Sequence, residues 1–98
     1  MNIEKECMDN AITLKVSGRL DTTTAPNLEA AVSESVASCE ALVLDFSGLE
    51  YISSAGLRVI LKAQKAMAVK SGMTIKNVNE TIMEIFEITG FSDILTIA

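Results

Sequence analysis

The chain has 98 residues, 49% of them hydrophobic and 21% charged, with a formal net charge of −5 and a sequence pI near 4.6. That length and apolar content suit a single domain over residues 1–98 with one compact core, and they exclude disorder. The acidic balance supplies no basic footprint for nucleic acid and no attraction to anionic membrane surfaces, and the lack of any histidine removes the commonest general base, metal ligand and triad partner together.

The opening Met1-Asn-Ile-Glu-Lys-Glu6 has neither the basic start nor the apolar centre of a signal peptide. No apolar run reaches the roughly 20 residues that span a bilayer. A cytoplasmic protein is expected. Ile3 to Cys7 reads as a first strand, and Asp9-Asn10 as a tight turn. From Ala11 to Val16, Ile12, Leu14 and Val16 alternate with Thr13 and Lys15, a half-buried strand that completes a hairpin. Thr22-Thr-Thr24 offers helix caps, and Pro26 suits the first turn of a helix. Leu28, Ala31, Val32, Ser35 and Val36 form the buried stripe of that helix, with Glu29 and Glu34 facing water.

Ala41 to Phe46 is apolar on both faces except at Asp45, as expected for a central strand covered by helices. A short turn leads to a second helix from about Ala55 to Val69, with Leu57, Ile60, Leu61, Ala63, Met67 and Ala68 turned inward. Met73 to Val78 is a further strand. Asn79 caps a third helix carrying Ile82, Ile85 and Phe86, which stops at Thr89-Gly90. Phe91 to Ala98 is an apolar tail that docks as a turn, helix or strand. The order ββαβαβα, with helices against a mixed sheet, is α/β.

Chemistry points to the strand–helix junction at Ser53 and Ser54. A hydroxyl there lies beside unpaired backbone N–H groups and the positive end of a helix dipole, which favour phosphate. Ser54 is read both as the helix cap and as a residue to be phosphorylated, with Ser53 the alternative for either role. Gly56 permits the approach of another backbone or relieves crowding in the first turn. Asp21 is a turn residue or a carboxylate beside Ser54. Asp45 is expected to accept backbone N–H groups from the turn after it. Arg58, Lys62 and Lys65 form one outer stripe, either a solvated face or a guide for an acidic partner. Met8, Met67, Met73 and Met83 are read as core fillers, with Met83 also a candidate surface contact. Cys7 and Cys39 are read as reduced, partly buried thiols. The chain has no GxGxxG, no GxxxxGK[ST] and no convincing pair of carboxylates, so neither an enzyme nor a cofactor is expected.

Gly18-Arg-Leu-Asp21, Leu44-Asp-Phe-Ser-Gly-Leu49 and Tyr51-Ile-Ser-Ser-Ala-Gly-Leu-Arg58 resemble the STAS domain of bacterial anti-sigma factor antagonists. The likeness extends to Val78-Asn79 and Phe86-Glu-Ile-Thr-Gly-Phe91 and so covers nearly the whole chain. It implies a mixed sheet of four or five strands with helices on one side. It also implies a switch in which the unmodified antagonist binds an anti-sigma factor and frees a sigma factor for transcription. In the family that anti-sigma factor is also a serine kinase of the GHKL type. It uses ATP and magnesium to phosphorylate the antagonist, which lets go, and a serine phosphatase resets it. By position the acceptor is Ser54. Asp21 matches the family's acidic residue near that site, and Asp21, Ser53, Ser54, Ala55, Gly56, Arg58 and Lys62 form the partner-binding face. Where many members carry aspartate, this chain has Ser53, a second hydroxyl. The rival expectation is a constitutive STAS scaffold in a transport or stress-signalling complex, with Ser54 only a cap. Weak nucleotide hydrolysis by the domain itself is a third.

Overall fold

The computed structural model describes all residues from Met1 to Ala98. Strands β1 (Asn2–Met8) and β2 (Ala11–Leu20) form an antiparallel hairpin turned by Asp9 and Asn10, and Asp9 takes a left-handed conformation at φ 54°. Helix α1 (Ala25–Ser38) leads to β3 (Ala41–Ile52), α2 (Ser54–Met67) to β4 (Met73–Lys76), and α3 (Glu80–Thr89) through a 3₁₀ turn at Phe91–Asp93 to β5 (Thr96–Ile97). The five strands lie side by side in chain order, and every pair after the hairpin is parallel. Crossovers of the usual right hand, taken in sequence order, place all three helices on one face of such a sheet.

The core confirms this layering. Ile12, Leu14 and Val16 of β2, Leu42, Leu44 and Phe46 of β3, and Met73 and Ile75 of β4 join Leu28, Val32, Ile60, Met67, Ile82 and Phe86 of the helices in one buried cluster. The opposite side chains of β3, Ala41, Val43 and Asp45, are only half-buried. The central strand is therefore covered on one face and not on both.

Two strands run further than their alternation predicts. β2 continues from Val16 to Leu20, and β3 from Phe46 to Ile52, through the segment read as a turn. Their pairing slips twice: Lys15 faces Asp45 but Ser17 faces Gly48, and Gly18 faces Leu49 but Arg19 faces Tyr51. Each slip adds one residue to β3, a bulge that breaks the period of two. The backbones come close here: a Cβ on Gly48 would lie 2.7 Å from Ser17 Cβ.

Helix α2 starts at Ser54, ends at Met67 and buries Gly56, Val59, Ile60, Ala63 and Met67. Val59 thus replaces the expected Leu57 and Leu61, which are half-buried, and Ala68 is exposed. On α1, Ala25 joins Leu28, Val32 and Ser35 inside, while Ala31 and Val36 are half-buried. Lys70 Nζ donates to the carbonyls of Val36 and Cys39, which places a cation at the C-terminal end of α1. β4 stops at Lys76 rather than Val78. Asn79 Oδ1 accepts from the Ile82 N–H at 2.9 Å, the expected cap. The tail forms both a turn and a strand, with Leu95 in the core and the Phe91 ring stacked on Phe86 at a centroid distance of 6.4 Å.

Met67 and Met73 are buried and Met83 is half-buried, but Met8 is 77% exposed, because it ends an edge strand on the uncovered face. The two cysteines separate likewise. Cys39 is a buried free thiol whose pKa is raised by desolvation, whereas Cys7 is free and exposed on β1.

Candidate functional site

Strands β2 and β3 end side by side, and the Ser53 N–H donates to the Leu20 carbonyl at 2.9 Å. This bond fixes where α2 begins. Ser53 is extended, at φ −104° and ψ 177°, and takes the N-cap position expected of Ser54. Its carbonyl accepts the first helical bond, from the Leu57 N–H at 3.0 Å. Its hydroxyl oxygen is shut off from solvent and has no hydrogen-bond partner. Ser54 is the first helical residue and is exposed. No side chain caps the helix, and its first turn carries no acidic residue. The N–H groups of Ser54, Ala55 and Gly56 therefore have no acceptor within the chain, and they concentrate the positive end of the dipole beside the Ser54 hydroxyl.

Gly56 does not reach the surface. A Cβ there would lie 2.6 Å from Leu20 Cγ and 2.9 Å from Ile52 Cγ1. Its role is to seat α2 on the two strand ends, and it is not a contact for a partner. Ala55 is half-buried beside it.

Asp21 organises the bend into α1. Its Oδ1 accepts from the Thr23 N–H at 3.0 Å, the Thr23 hydroxyl at 2.7 Å and the Thr24 N–H at 3.2 Å. The Thr23 hydroxyl, supported by these N–H groups, holds the carboxyl below its ordinary pKa of 3.8 against the opposing cost of desolvation. The Thr24 hydroxyl accepts from the Asp21 N–H at 2.8 Å and lies 2.8 Å from the Arg19 carbonyl. Asp21 makes no hydrogen bond to Ser53 or Ser54, so its direct role is that of a turn residue on a neighbouring loop.

Asp45 accepts from the Ser47 N–H at 3.0 Å, as expected, and also from Asn77 Nδ2 at 2.9 Å. It lies within β3 on the uncovered face, away from Ser54.

The cationic stripe of α2 is not uniform. Arg58, Lys62 and Lys65 are all exposed, but Lys62 Nζ is bound to Glu29 Oε1 of α1 at 2.6 Å. That bridge leaves Glu29 half-buried instead of free in water. Arg58 and Lys65 have no ion-pair partner. An open groove of about 450 Å³ between α1 and α2 is lined by Thr22, Pro26, Glu29, Ala55, Arg58 and Lys62, among others. Ala55, Arg58 and Lys62 thus meet on one surface, with the Asp21 bend at its edge.

One pairing escaped the sequence reading. The Arg19 guanidinium sits 4.2 Å above the centroid of the Tyr51 ring, and Arg19 Nε is 3.8 Å from Asp21 Oδ2. The signal was obscured because Arg19 and Tyr51 face each other only after the second bulge. No three His, Cys, Asp or Glu side chains are grouped so as to hold a metal ion, and no helix is long and apolar enough to cross a membrane.

Residues 2–98 match the STAS domain family. The anti-sigma-B factor antagonist of Listeria monocytogenes is 34% identical over 103 residues, covering 99% of this chain and 90% of that protein. BtrV of Bordetella bronchiseptica, a candidate anti-sigma factor antagonist, is 33% identical over 100 residues, covering 100% of this chain and 86% of its own. The crystal structure of an anti-sigma factor antagonist from Mycobacterium paratuberculosis superimposes with a TM-score of 0.90 at 28% identity, over 98% of this chain and 83% of that one.

Proposed function

From the premise that the chain belongs to the STAS domain family, we propose that it is an anti-sigma factor antagonist switched by phosphorylation of Ser54. The observation that carries this reading is the contrast between the two serines. Ser54 is exposed at the first position of α2 beside three unpaired N–H groups, whereas the Ser53 hydroxyl oxygen is buried. A kinase can reach the first and not the second, which favours Ser54 as acceptor.

Unmodified, the protein docks on an anti-sigma factor through the start of α2 and the margin of the groove, where Ser54, Ala55, Arg58 and Lys62 lie beside the Asp21 bend. The anti-sigma factor, also a serine kinase of the GHKL type, is held away from its sigma factor, and transcription follows in the cytoplasm. Phosphorylation adds about −1.5 to −2 charges and three acceptor oxygens at the centre of that surface. Burying such a group against a partner shaped for a hydroxyl costs several kcal/mol. Each 1.4 kcal/mol changes affinity about tenfold. A serine phosphatase restores the binding form. The chain is the substrate in this cycle and performs no catalytic step of its own.

Binding to the anti-sigma factor encoded in the same genome tests the switch. Ser54→Ala is expected to bind in the presence of ATP and magnesium as tightly as the unmodified protein. The phosphorylated protein is expected to bind at least tenfold more weakly, with Ser54→Asp in between. Equal affinity of all these forms would refute the switch.

A further inference from the structure

Arg58 lies four residues beyond Ser54 on α2, so the two side chains share one strip of the helix surface. Helical side chains lean towards the N-terminus, which puts the first turn within reach of the Arg58 guanidinium. Arg58 is exposed and has no hydrogen-bond or ion-pair partner, while Lys62 on the next turn is held by Glu29 at 2.6 Å. The first turn also holds the unpaired N–H groups of Ser54, Ala55 and Gly56 and no carboxylate. The Ser53 hydroxyl, whose oxygen would ordinarily accept one of those N–H groups, is buried without a partner. The chain thus presents a row of donors and one free guanidinium, with no carboxylate of its own among them.

We propose that Arg58 is the chain's own receiver for the phosphate on Ser54, gripping it together with the first-turn N–H groups. The inference rests on the reading of Ser54 as the modified residue and adds how the modification acts. A guanidinium and a phosphate form a two-pronged, charge-assisted pair. Phosphorylation then does two things at one place: it introduces a dianion, and it withdraws Arg58 from the surface offered to the anti-sigma factor. The partner loses an accessible cation as well as meeting a new anion. Lys62 cannot substitute, because it is engaged across the groove.

The test uses the full chain with phosphoserine installed at position 54 during translation, in the parent, Arg58→Lys, Arg58→Ala and Lys65→Ala backgrounds. The second ionisation of the phosphate, ordinarily near pH 6, is followed by phosphorus NMR. Arg58→Ala should raise its midpoint by about half a pH unit, roughly a threefold gain in proton affinity. Arg58→Lys should recover part of the shift, since it keeps the charge but not the fork. Lys65→Ala removes a like charge about 16 Å along the helix from Ser54, beyond a Debye length of about 8 Å, and should leave the midpoint in place. A midpoint unmoved in Arg58→Ala, or moved equally in Lys65→Ala, would overturn the proposal. The readout needs neither kinase nor anti-sigma factor. Failure here therefore leaves the binding comparison of the Ser54 forms intact, and failure of that comparison leaves this titration intact.

Discussion

Gly56 shows how tightly the site is tied to the core. With hydrogen in place of a side chain, the first turn of α2 settles directly on Leu20 and Ile52, whose nearest atoms lie 2.6 and 2.9 Å from where a Cβ would be. Gly56→Ala must push either those packed side chains or the helix start. Overpacking of this kind costs about 1–3 kcal/mol, and in a domain of this size each kcal/mol lowers Tm by roughly 4–8 °C. Urea unfolding of Gly56→Ala should show that loss, and a variant as stable as the parent would mean the helix start is loosely seated. The strand–helix junction was legible from Ser53-Ser54-Ala55-Gly56 alone, but the division of labour within it was not. Which serine caps depends on the Leu20 carbonyl catching the Ser53 N–H at 2.9 Å, a bond between segments more than thirty residues apart. Local spacing carries no trace of it, so it leaves open which of Ser53 and Ser54 caps the helix, and whether Gly56 admits another backbone or relieves crowding in the first turn. The Glu29–Lys62 bridge was hidden for the same reason: each residue looked like a solvated charge on its own helix.

At the level of elements, patterns of period two and 3.6 made the hairpin, the three helices and the inner strands readable. What escaped was the second half of β2 and β3. After Phe46 the inward residues of β3 are Leu49 and Ile52, a spacing of three, because bulges take up one residue each. Without the pairing register such a stretch reads as a turn. Its continuation matters to the site, since it carries the chain on to Ile52 and sets Ser53 beside Leu20. It also anchors α3: Asn79 Oδ1 accepts from Ile82 while its Nδ2 donates to the Leu49 carbonyl, each at 2.9 Å. One side chain thus caps a helix and satisfies a carbonyl of the bulged strand. Asn79→Ala loses both, about 1 kcal/mol for the cap and a similar amount for the carbonyl left unpaired, or about 2 kcal/mol together. Asn79→Asp keeps the acceptor and loses the donor, so it should fall between the two in chemical denaturation. Equal losses in both variants would show that the tie to Leu49, and not the cap, sets the stability of this corner.

Over the whole molecule, charge separates the switch from the scaffold. A phosphate changes the formal charge from −5 to about −7, a modest change in the overall field. At the start of α2, however, it meets one unpaired cation, Arg58, and cancels its charge. The effect on a partner is therefore local, and stability against pH is set elsewhere. Asp21 and Asp45 both titrate below their ordinary value of 3.8 in the folded protein. For Asp45 the Asn77 side-chain hydrogen bond is the largest cause, with the Ser47 contacts and Lys15 adding to it against desolvation. As pH falls, the unfolded chain takes up these protons first. Their contribution is thus complete above the ordinary carboxyl value and disappears as pH drops through the lowered one. Asparagine at position 45 keeps an oxygen for Ser47 and Asn77 but cannot titrate. Asp45→Asn should therefore lose less stability than the parent as pH falls below the ordinary carboxyl value, with a shallower slope where the missing proton would bind. Parallel acid limbs for the two proteins in urea titrations at successive pH values would show that Asp45 titrates alike in the folded and unfolded chains. A shallower limb would place part of the acid sensitivity on the uncovered face of the sheet, away from the Ser54 surface that the switch modifies.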